Sequence, residues 1–202
     1  ADDILESDAT ISGIAANPKT LVALVPVTLE LAADSPNFDE IIRLSLAGSF
    51  AQKIEQLAVA KLVADTDIAE SAAAQDPATW AATMAAISAA MAAGQPLPRA
   101  MVSAAADFMA RASQLASTSG AWLGRPPALA EMLELPTANV TAGTGFFGDF
   151  ERAMVIAARQ DMRVELIRWQ QPTKAIHLLV AHMRADAYVL QPGALFRQLK
   201  VV

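Results

Sequence analysis

The sequence predicts an α+β fold, and three observations lead to that prediction. Residues 1–27 carry β-branched segments that are typical of extended chain. Apolar side chains then recur at helical spacing over residues 37–62, and the last third of the chain carries further strand-like segments. Extended segments, a long helix, a helical lobe and a mixed terminal region thus follow one another, which is typical of the α+β class.

The first strand-like segments, Thr10–Ile14 and Thr20–Val25, lie on either side of the turn signal Asn17-Pro18. This pattern predicts either a hairpin arm or a strand that returns into the domain. The chain opens with Ala1-Asp2-Asp3 and without an initiator methionine, so a processed or truncated start is expected.

The clearest helix is predicted over Asn37–Leu62. Ser35-Pro36-Asn37 supplies cap residues, and Glu40 lies three positions after Asn37, as in a capping box. The apolar side chains of this helix are Phe38, Ile41, Ile42, Leu46, Phe50, Ile54, Leu57, Ala58 and Leu62. At the standard rise per residue the helix would span about 39 Å, long enough to be the spine of an elongated subunit.

The middle of the chain predicts a helical lobe. Asp65–Pro77 is polar and Ala-rich and is interpreted as a linker or loop, and a second helix is predicted from Asp76-Pro77 to the stop signal Gly94. The shorter segments that follow are a possible strand at Ala100–Ser103, a short helix at Asp107–Leu115, a loop at Ser117–Gly124, an ambiguous stretch at Leu129–Leu135 and a strand-like Asn139–Thr141.

The last third is predicted to contain several strands. Phe150–Ala158 fits a short helix or a strand, and Met162–Trp169 fits a strand. Periodicity leaves Lys174–Tyr188 open, because its apolar residues alternate as in a strand and would also line one face of a helix. Pro192-Gly193 then turns the chain into a final apolar run, Ala194–Leu199.

Composition favours self-association. Apolar residues make up 54% of the chain and charged residues 18%, so neighbouring copies are expected to cover part of the apolar surface. Alanine supplies most of the excess, which leaves an Ala-rich monomer as the alternative. The net charge of −6 argues against a protein that wraps nucleic acid. The absence of cysteine excludes disulfides and thiolate chemistry, and Ala81–Ala93 falls short of a membrane span.

One motif matches a cofactor-binding pattern. Gly143-Thr144-Gly145-Phe146-Phe147-Gly148 fits G-x-G-x-x-G, and Glu165 follows at about the distance expected for dinucleotide binding. That chemistry requires a buried parallel strand before the motif and a helix after it. The preceding segment, Leu135–Val140, contains a proline and polar residues, which is unfavourable for such a strand. The motif is therefore interpreted as a glycine turn between strands, and no cofactor is predicted.

No catalytic or metal-binding residue is predicted. His177 and His182 are five positions apart, which places them on different faces of a helix or strand, and both are expected to be partly buried or at an interface. The carboxylate pairs Asp2-Asp3, Asp39-Glu40 and Asp65 with Asp67 lie at a terminus, at a helix start and in a loop. The large apolar side chains are expected in the core first and in subunit contacts second; these are Trp80, Trp122, Trp169, the seven phenylalanines and the eight methionines.

A family resemblance covers nearly the whole chain. Lys19–Leu31 followed by Asp34–Phe38 resembles the return of an extended loop into the spine helix of tailed-phage major capsid proteins of the Hong Kong phage type, and Ile41–Leu62 resembles that helix. The other matching segments are Ala51-Gln52-Lys53-Ile54-Glu55, Pro126–Leu135, Thr141–Phe150 with its Gly148-Asp149-Phe150 turn, Met162–Leu166 and Arg184–Leu195. Their order is more specific than any single segment.

The resemblance implies the phage major capsid fold, which combines a peripheral domain of spine helix and long β-sheet with a mixed α/β axial domain around the capsomer axis. The implied division is a remnant of the extended loop or arm over 1–20, the peripheral domain over 21–75 with the spine helix at 37–62, the axial domain over 76–160, return strands of the peripheral domain over 161–188 and a closing strand of the axial domain over 189–202. It also favours a strand for Lys174–Tyr188.

The implied function is structural and not enzymatic. The resemblance implies a major capsid protein that self-assembles into pentamers and hexamers and an icosahedral shell around phage, prophage or gene-transfer-agent DNA. The implied partners are other copies of the chain, scaffold, protease and portal proteins, and DNA held without sequence-specific binding, with no membrane. The implied location is the virion capsid, after assembly in the bacterial host cytoplasm. An encapsulin-like compartment shell and a small dinucleotide-binding enzyme that uses Gly143–Gly148 are the alternatives.

The sequence also departs from the family pattern. Where the family has an Asn-Pro pair at the start of its axial-domain helix, this chain has Ser103-Ala104-Ala105-Ala106. The N-terminal arm and the outgoing half of the extended loop are expected to be missing. The asparagine that some relatives use for covalent cross-linking corresponds to Ala175, so no cross-linking is predicted.

Overall fold

The structure is a computed structural model that describes residues 13–28, 30, 37–71, 75–116, 120–171 and 176–200. The predicted α+β class is confirmed, because within these residues eight strands form two sheets and four helices pack with them. None of the described helices is long and apolar enough to cross a membrane.

The longest helix, α1 (Phe38–Ala64), confirms the predicted spine helix and ends two residues later than expected. The predicted side-chain cap is wrong, because Asn37 makes no capping hydrogen bond to a described residue. The backbone of Asn37, at φ −107° and ψ 16°, is not in the extended region that an N-cap residue usually adopts. Only four side chains of α1 are buried, so most of its surface is open; they are Leu46, Phe50, Val59 and Leu62.

The first sheet confirms the returning strand. It consists of β1 (Lys19–Thr28), β6 (Met154–Gln171) and β7 (Ile176–Val189), all antiparallel, in the order β1-β7-β6. The first half of the hairpin considered for the N-terminal residues, at Thr10–Ile14, lies mostly outside the described residues. Alternation along β1 places Leu21, Ala23 and Val25 on the face that packs against α1.

The second sheet has five strands in the order β2-β8-β5-β3-β4. These strands are β2 (Ala69–Glu70), β3 (Ala100–Ala104), β4 (Leu133–Thr137), β5 (Thr144–Gly148) and β8 (Leu195–Leu199). Successive residues of β5 point to opposite faces, so Phe147 joins the core beneath helix α2 (Trp80–Ala92), and Phe146 joins the core beneath the C-terminal half of α1.

A side-chain cap fixes the start of helix α2, and a glycine fixes its end. The Thr79 hydroxyl accepts a hydrogen bond from the Ala82 N–H at 3.3 Å, so the helix starts at Trp80 and not at the predicted Asp76-Pro77. After the helix, Gly94 has a φ of +91°, which confirms it as the stop.

Several predictions for the shorter segments are wrong in detail. Asp65–Pro77 is more than a linker, because it contains β2 and because Ile68 is only 1% exposed in the core. Asn139–Thr141 forms no strand. Val140 is buried in the core by side-chain contacts and not by hydrogen bonds to a neighbouring strand. Three further elements differ from their predicted bounds: helix α3 spans Ala105–Ala112, helix α4 spans Phe150–Ala153, and β6 begins at Met154 inside the segment expected as Phe150–Ala158. A 3-10 turn at Pro127–Leu129 has no counterpart among the predicted elements.

Arg197 on β8 connects the second sheet to the end of the spine helix. Its guanidinium donates hydrogen bonds to the carbonyl oxygens of Leu62, Val63 and Asp65, at 2.8, 3.1 and 2.7 Å. These are the last carbonyls of α1 and the residue after it, where the helix dipole is negative and intrahelical donors have run out. One cation therefore caps the helix and holds it against the sheet.

Glu55 makes a second connection between α1 and the same sheet. Its carboxylate accepts hydrogen bonds from the Thr137 hydroxyl and from the Asn139 side-chain amide, the latter at 3.1 Å. Thr137 ends β4, so the middle of the spine helix is tied to the chain between β4 and β5. Glu55 belongs to the segment Ala51–Glu55, one of those that carry the family resemblance.

The end of β8 is held by an ion pair across the fold. Lys200 Nζ lies 2.7 Å from the Asp76 carboxylate, in the segment that leads into α2. The hydrogen bond from Lys200, followed by that from the Ala78 N–H, lowers the pKa of Asp76 below its ordinary value of 3.8. The same pair raises the pKa of Lys200 above 10.5.

The pair predicts the sign of a pH effect. Because the folded pKa of Asp76 is lowered, its contribution to stability is present above pH 3.8 and is lost as the pH falls through the folded pKa. The raised pKa of Lys200 has the opposite consequence, a contribution present below pH 10.5 and lost as the pH rises through its folded pKa. We expect Lys200→Ala to move the pKa of Asp76 up toward its ordinary value in a carbon-13 NMR titration. Lys53→Ala should leave it unchanged, and an unchanged Asp76 in Lys200→Ala would contradict the ion pair.

Candidate assembly surfaces

The residues that could have carried chemistry lie apart in the structure. His177 is buried and His182 half-buried, five residues apart on β7 and therefore on opposite faces of the strand. Asp39 forms an ion pair with Arg43 at 3.0 Å, and Asp65 accepts the N–H of Asp67 at 2.9 Å. Asp2-Asp3 lies outside the described residues. Within the described part of the chain, no group of three or more His, Asp or Glu side chains could hold a metal ion.

The glycine motif forms a turn and a central strand. Gly143 lies in the turn with a φ of +86°, and Thr144–Gly148 is β5, which is antiparallel to both of its neighbours, β3 and β8. The strand before the motif, β4, lies at the sheet edge, and the helix after it, α4, has four residues. This is not the buried parallel strand and long helix that a dinucleotide requires. The interpretation as a glycine turn between strands is therefore supported at Gly143.

Packing explains why these positions are glycine. A Cβ on Gly145 would lie 3.1 Å from the Met101 methyl group, and one on Gly143 would lie 3.2 Å from Lys200 Cβ. A Cβ on Gly148 would collide with the carbonyl oxygen of Ala194, and the φ of Gly148 is +146°. The motif thus permits close approach between neighbouring segments of the protein itself.

We expect Gly148→Ala to lower the free energy of unfolding by roughly 3 kcal/mol, because it adds both backbone strain and a steric clash. Gly193→Ala is the matched control, since a Cβ there would meet no described atom within 4 Å. Urea unfolding followed by circular dichroism would measure both variants. Equal midpoints for Gly148→Ala and the wild type would contradict the packing explanation.

An exposed apolar segment, called the tip below, follows helix α3 on the second-sheet side of the molecule. The chain pairs with itself between Gln114 and Leu123, with the Ala116 N–H bonded to the Ala121 carbonyl at 2.8 Å and the Leu123 N–H to the Gln114 carbonyl at 2.8 Å. Residues 117–119 are outside the described set. The tip, defined here as residues 114–123, carries three large side chains that are more than half exposed, and α3 adds a fourth beside it in sequence; these are Leu115, Trp122, Leu123 and Met109.

The tip contains no charge. From Ala112 to Gly124 the sequence has no Asp, Glu, Lys or Arg. Trp122 is 71% exposed, which contradicts the prediction that it packs in the core, whereas Trp80 at 5% confirms that prediction; the side chain of Trp169 is outside the described set. The sequence analysis missed this surface because the segment has the polar composition of a loop. The absence of charged residues from Ala112 to Gly124 was the sequence signal that could have located it.

The base of the tip is held by a buried ion network. Arg111 and Glu134, whose side chains are 0% and 4% exposed, lie 3.0 Å apart, and Arg125 lies 2.5 Å from the other oxygen of Glu134. Arg111 also donates to the Ser103 hydroxyl at 2.9 Å and lies over the Trp80 ring. Since Arg111 and Arg125 stand on either side of the tip in sequence, one carboxylate holds both of its ends.

We expect Glu134→Gln to destabilise the fold by about 3 kcal/mol, because it leaves a buried guanidinium without its counter-charge. Glu131→Gln, an exposed position three residues earlier, should change stability by less than about 0.5 kcal/mol. Chemical unfolding of the two variants under the same conditions tests the difference. If they unfold together, the network does not support the tip.

The first sheet presents a second apolar surface. On the face turned away from α1, Val22 and Leu24 of β1 are 57% and 60% exposed, and Ile167 of β6 is also exposed. The N-terminal half of α1 exposes Ile41 and Leu44 on its own outer side. The apolar excess in the composition therefore lies partly on the surface.

Comparisons with known proteins point in one direction. A family model described as the phage capsid family matches residues 1–197. No curated protein sequence matches the chain significantly.

Similar solved structures include the capsid of an empty GTA particle, with a TM-score of 0.69 and 18% identity over 100% of this chain and 81% of that one. The capsid of Myoviridae phage XM1 has a TM-score of 0.64 and 13% identity over 91% and 74% of the two chains. A structure from Mycobacterium phage Adephagia has a TM-score of 0.65 and 15% identity over 92% and 72%.

Proposed function

Because the chain belongs to the phage capsid family, we propose that its copies form pentamers and hexamers that close into an icosahedral shell. The protein is a structural capsid protein whose place is the virion capsid. The exposed apolar surfaces supply the contacts that such a shell needs, since an exposed apolar area of this kind marks an interaction site.

The charge-free tip is the observation that carries this proposal. Around a rotation axis, a residue close to the axis faces the same residue of the next copy. Any charge there would face a like charge, which costs free energy, whereas apolar side chains gain from mutual burial. A segment with Leu115, Trp122 and Leu123 exposed and no charged residue is suited to that position. Trp122 has the size and amphipathic character of an interface hot spot.

We assign the two layers of the molecule to two domains. The first sheet with most of α1 would form the peripheral domain, and the second sheet with α2, α3 and the tip would form the axial domain. The core supports this assignment, because Leu46 and Phe50 of α1 pack with the first sheet. Arg197 and Glu55 then connect the C-terminal half of the helix to the second sheet.

DNA is the proposed content of the shell and would be held by confinement without sequence-specific binding. A net charge of −6 fits such an arrangement better than tight wrapping. Scaffold, protease and portal proteins are the further proposed partners, and assembly would take place in the bacterial host cytoplasm. We propose no enzymatic activity. The encapsulin-like alternative is not favoured, and a dinucleotide site at Gly143–Gly148 has no support from the antiparallel surroundings of β5.

Electron microscopy of the purified protein across salt and pH tests the proposal, with Trp122→Ser as the informative variant. We expect shells, capsomers or sheets from the wild type and roughly 30-fold weaker association from Trp122→Ser, the change that a loss of about 2 kcal/mol produces. The thermal midpoint should be unchanged, because the side chain is exposed. Sedimentation velocity would measure the association.

Trp122→Phe is the matched control, since it keeps a large apolar ring and should still assemble. A wild type that stays monomeric under all conditions would contradict the capsid function. Saturable micromolar binding of a dinucleotide would support the enzyme alternative instead.

A further inference from the structure

Helix α1 carries apolar side chains on two opposite sides. Leu46 and Phe50 pack with the first sheet, whereas Val59 and Leu62 belong to the core beneath the second sheet. At about 3.6 residues per turn, the two pairs point in directions about 170° apart around the helix axis. The first sheet therefore lies on one side of the N-terminal half of α1, and the second sheet lies on the other side of its C-terminal half.

The side of α1 that contacts the second sheet continues toward the N-terminus without a cover among the described residues. Residues spaced alternately three and four positions apart follow one line along this side. This line is called the second stripe, and its members are Ile41, Leu44, Gly48, Ala51, Glu55, Ala58 and Leu62. Leu62 is buried in the core and Glu55 is hydrogen-bonded to the end of β4, whereas Ile41 and Leu44 are 60% and 68% exposed. The second stripe is thus covered in its C-terminal half and open in its N-terminal half.

Gly48 lies in the open half of the second stripe, and no contact among the described residues requires a glycine there. A Cβ on Gly48 would meet no described atom within 4 Å, and the residue lies inside the helix without a positive φ. A glycine inside a helix lowers the folding equilibrium constant roughly fivefold relative to alanine. Because glycine allows another backbone to approach closely, this cost indicates a close contact from outside the subunit.

The open half of the second stripe lies in a step beside the second sheet. The sheet covers the same side of α1 farther along the helix, so a segment laid on Gly48 would lie level with the sheet and would not begin a second layer. Residues 44–52 contain no charged side chain, so this surface offers no cation to a phosphate group. Ile41 and Leu44 offer apolar area instead, which suits an uncharged protein segment.

We propose that a backbone segment of a second copy of this chain crosses α1 at Gly48 and covers Ile41 and Leu44. The occupant is a second copy because the chain belongs to the phage capsid family and because similar solved structures are capsids. The contact joins the step of one copy to a different surface of the next, so it is heterologous and links copies side by side within one layer. This inference rests on the proposed shell function and identifies one of its contacts.

Gly48→Ala should affect the subunit and the assembly in opposite directions. The thermal midpoint of the dilute, unassembled subunit should rise by about 3 °C, because alanine favours the helix. Association measured by sedimentation velocity should weaken roughly tenfold, because the added Cβ occupies space that the second copy fills. A glycine that served only the fold of the subunit would not produce this combination.

A larger side chain at the same position should prevent assembly. Gly48→Leu should give no shells in electron micrographs and should leave the subunit folded, since position 48 is exposed and leucine favours the helix more than glycine does. Ser49→Leu is the matched control. It adds a leucine at the next exposed position, about 100° around the helix from Gly48 and away from the second stripe, and should still form shells.

A photoreactive label tests which molecule lies on the helix. The natural chain has no cysteine, so Leu44→Cys can be labelled at one site with benzophenone maleimide, assembled and irradiated. We expect linked dimers on a denaturing gel, with a peptide of this chain attached at position 44 in mass spectrometry. The same labelled protein, diluted below its assembly concentration, should give no dimers.

The outcomes separate this contact from the proposed function. Shells of Gly48→Leu that match those of the wild type overturn the contact and leave the capsid function standing. A lower thermal midpoint in Gly48→Ala would show that the glycine serves the subunit itself, and nucleic acid attached at position 44 would show a different occupant; either result overturns the contact. Absence of any assembly from the wild type overturns both the contact and the proposed function.

Discussion

The arrangement of the molecule depends on how the C-terminal end of a 27-residue helix is held. A helix of that length ends in carbonyl groups with no intrahelical partner and a negative dipole. Arg197 meets both requirements, and because it lies on a strand of the second sheet it also determines where the spine helix sits relative to that sheet. With Glu55 fixed farther back along the helix, α1 contributes core residues to both sheets, Leu46 and Phe50 to the first and Val59 and Leu62 to the second.

This arrangement leaves large surfaces without a cover. A single helix cannot bury both faces of a three-stranded sheet, so Val22 and Leu24 remain exposed, and α1 itself shows Leu44 to the outside. The tip with Trp122 is exposed for a different reason, since its anchors, Arg111 and Arg125, hold only its base. In a capsid, neighbouring subunits cover exposed apolar surfaces, and these are the surfaces that they would cover here.

The glycine-rich segment illustrates how a short pattern acquires its meaning from its surroundings. Gly143, Gly145 and Gly148 match a nucleotide-binding spacing, yet each makes room for another part of the same chain. The need at Gly148 is the strictest, because both its φ of +146° and the nearby Ala194 carbonyl exclude a side chain. Backbone close approach is the common requirement of both uses, so the sequence pattern alone could not distinguish them.

The sequence by itself determined the α+β class, the spine helix and the strand nature of β1, and, through the family resemblance, that of β7 and β8. Local periodicity and breaker residues such as Pro192-Gly193 suffice for such elements. Only the tertiary structure decided that β1 pairs with β7, that Val140 is buried without a strand, and that Trp122 is exposed while Trp80 is buried. These outcomes depend on contacts between residues far apart in the chain, which no local pattern records. The role of Arg197 also depends on the tertiary structure. In the sequence it is an ordinary basic residue of a strand, and only the fold brings the end of α1 beside it.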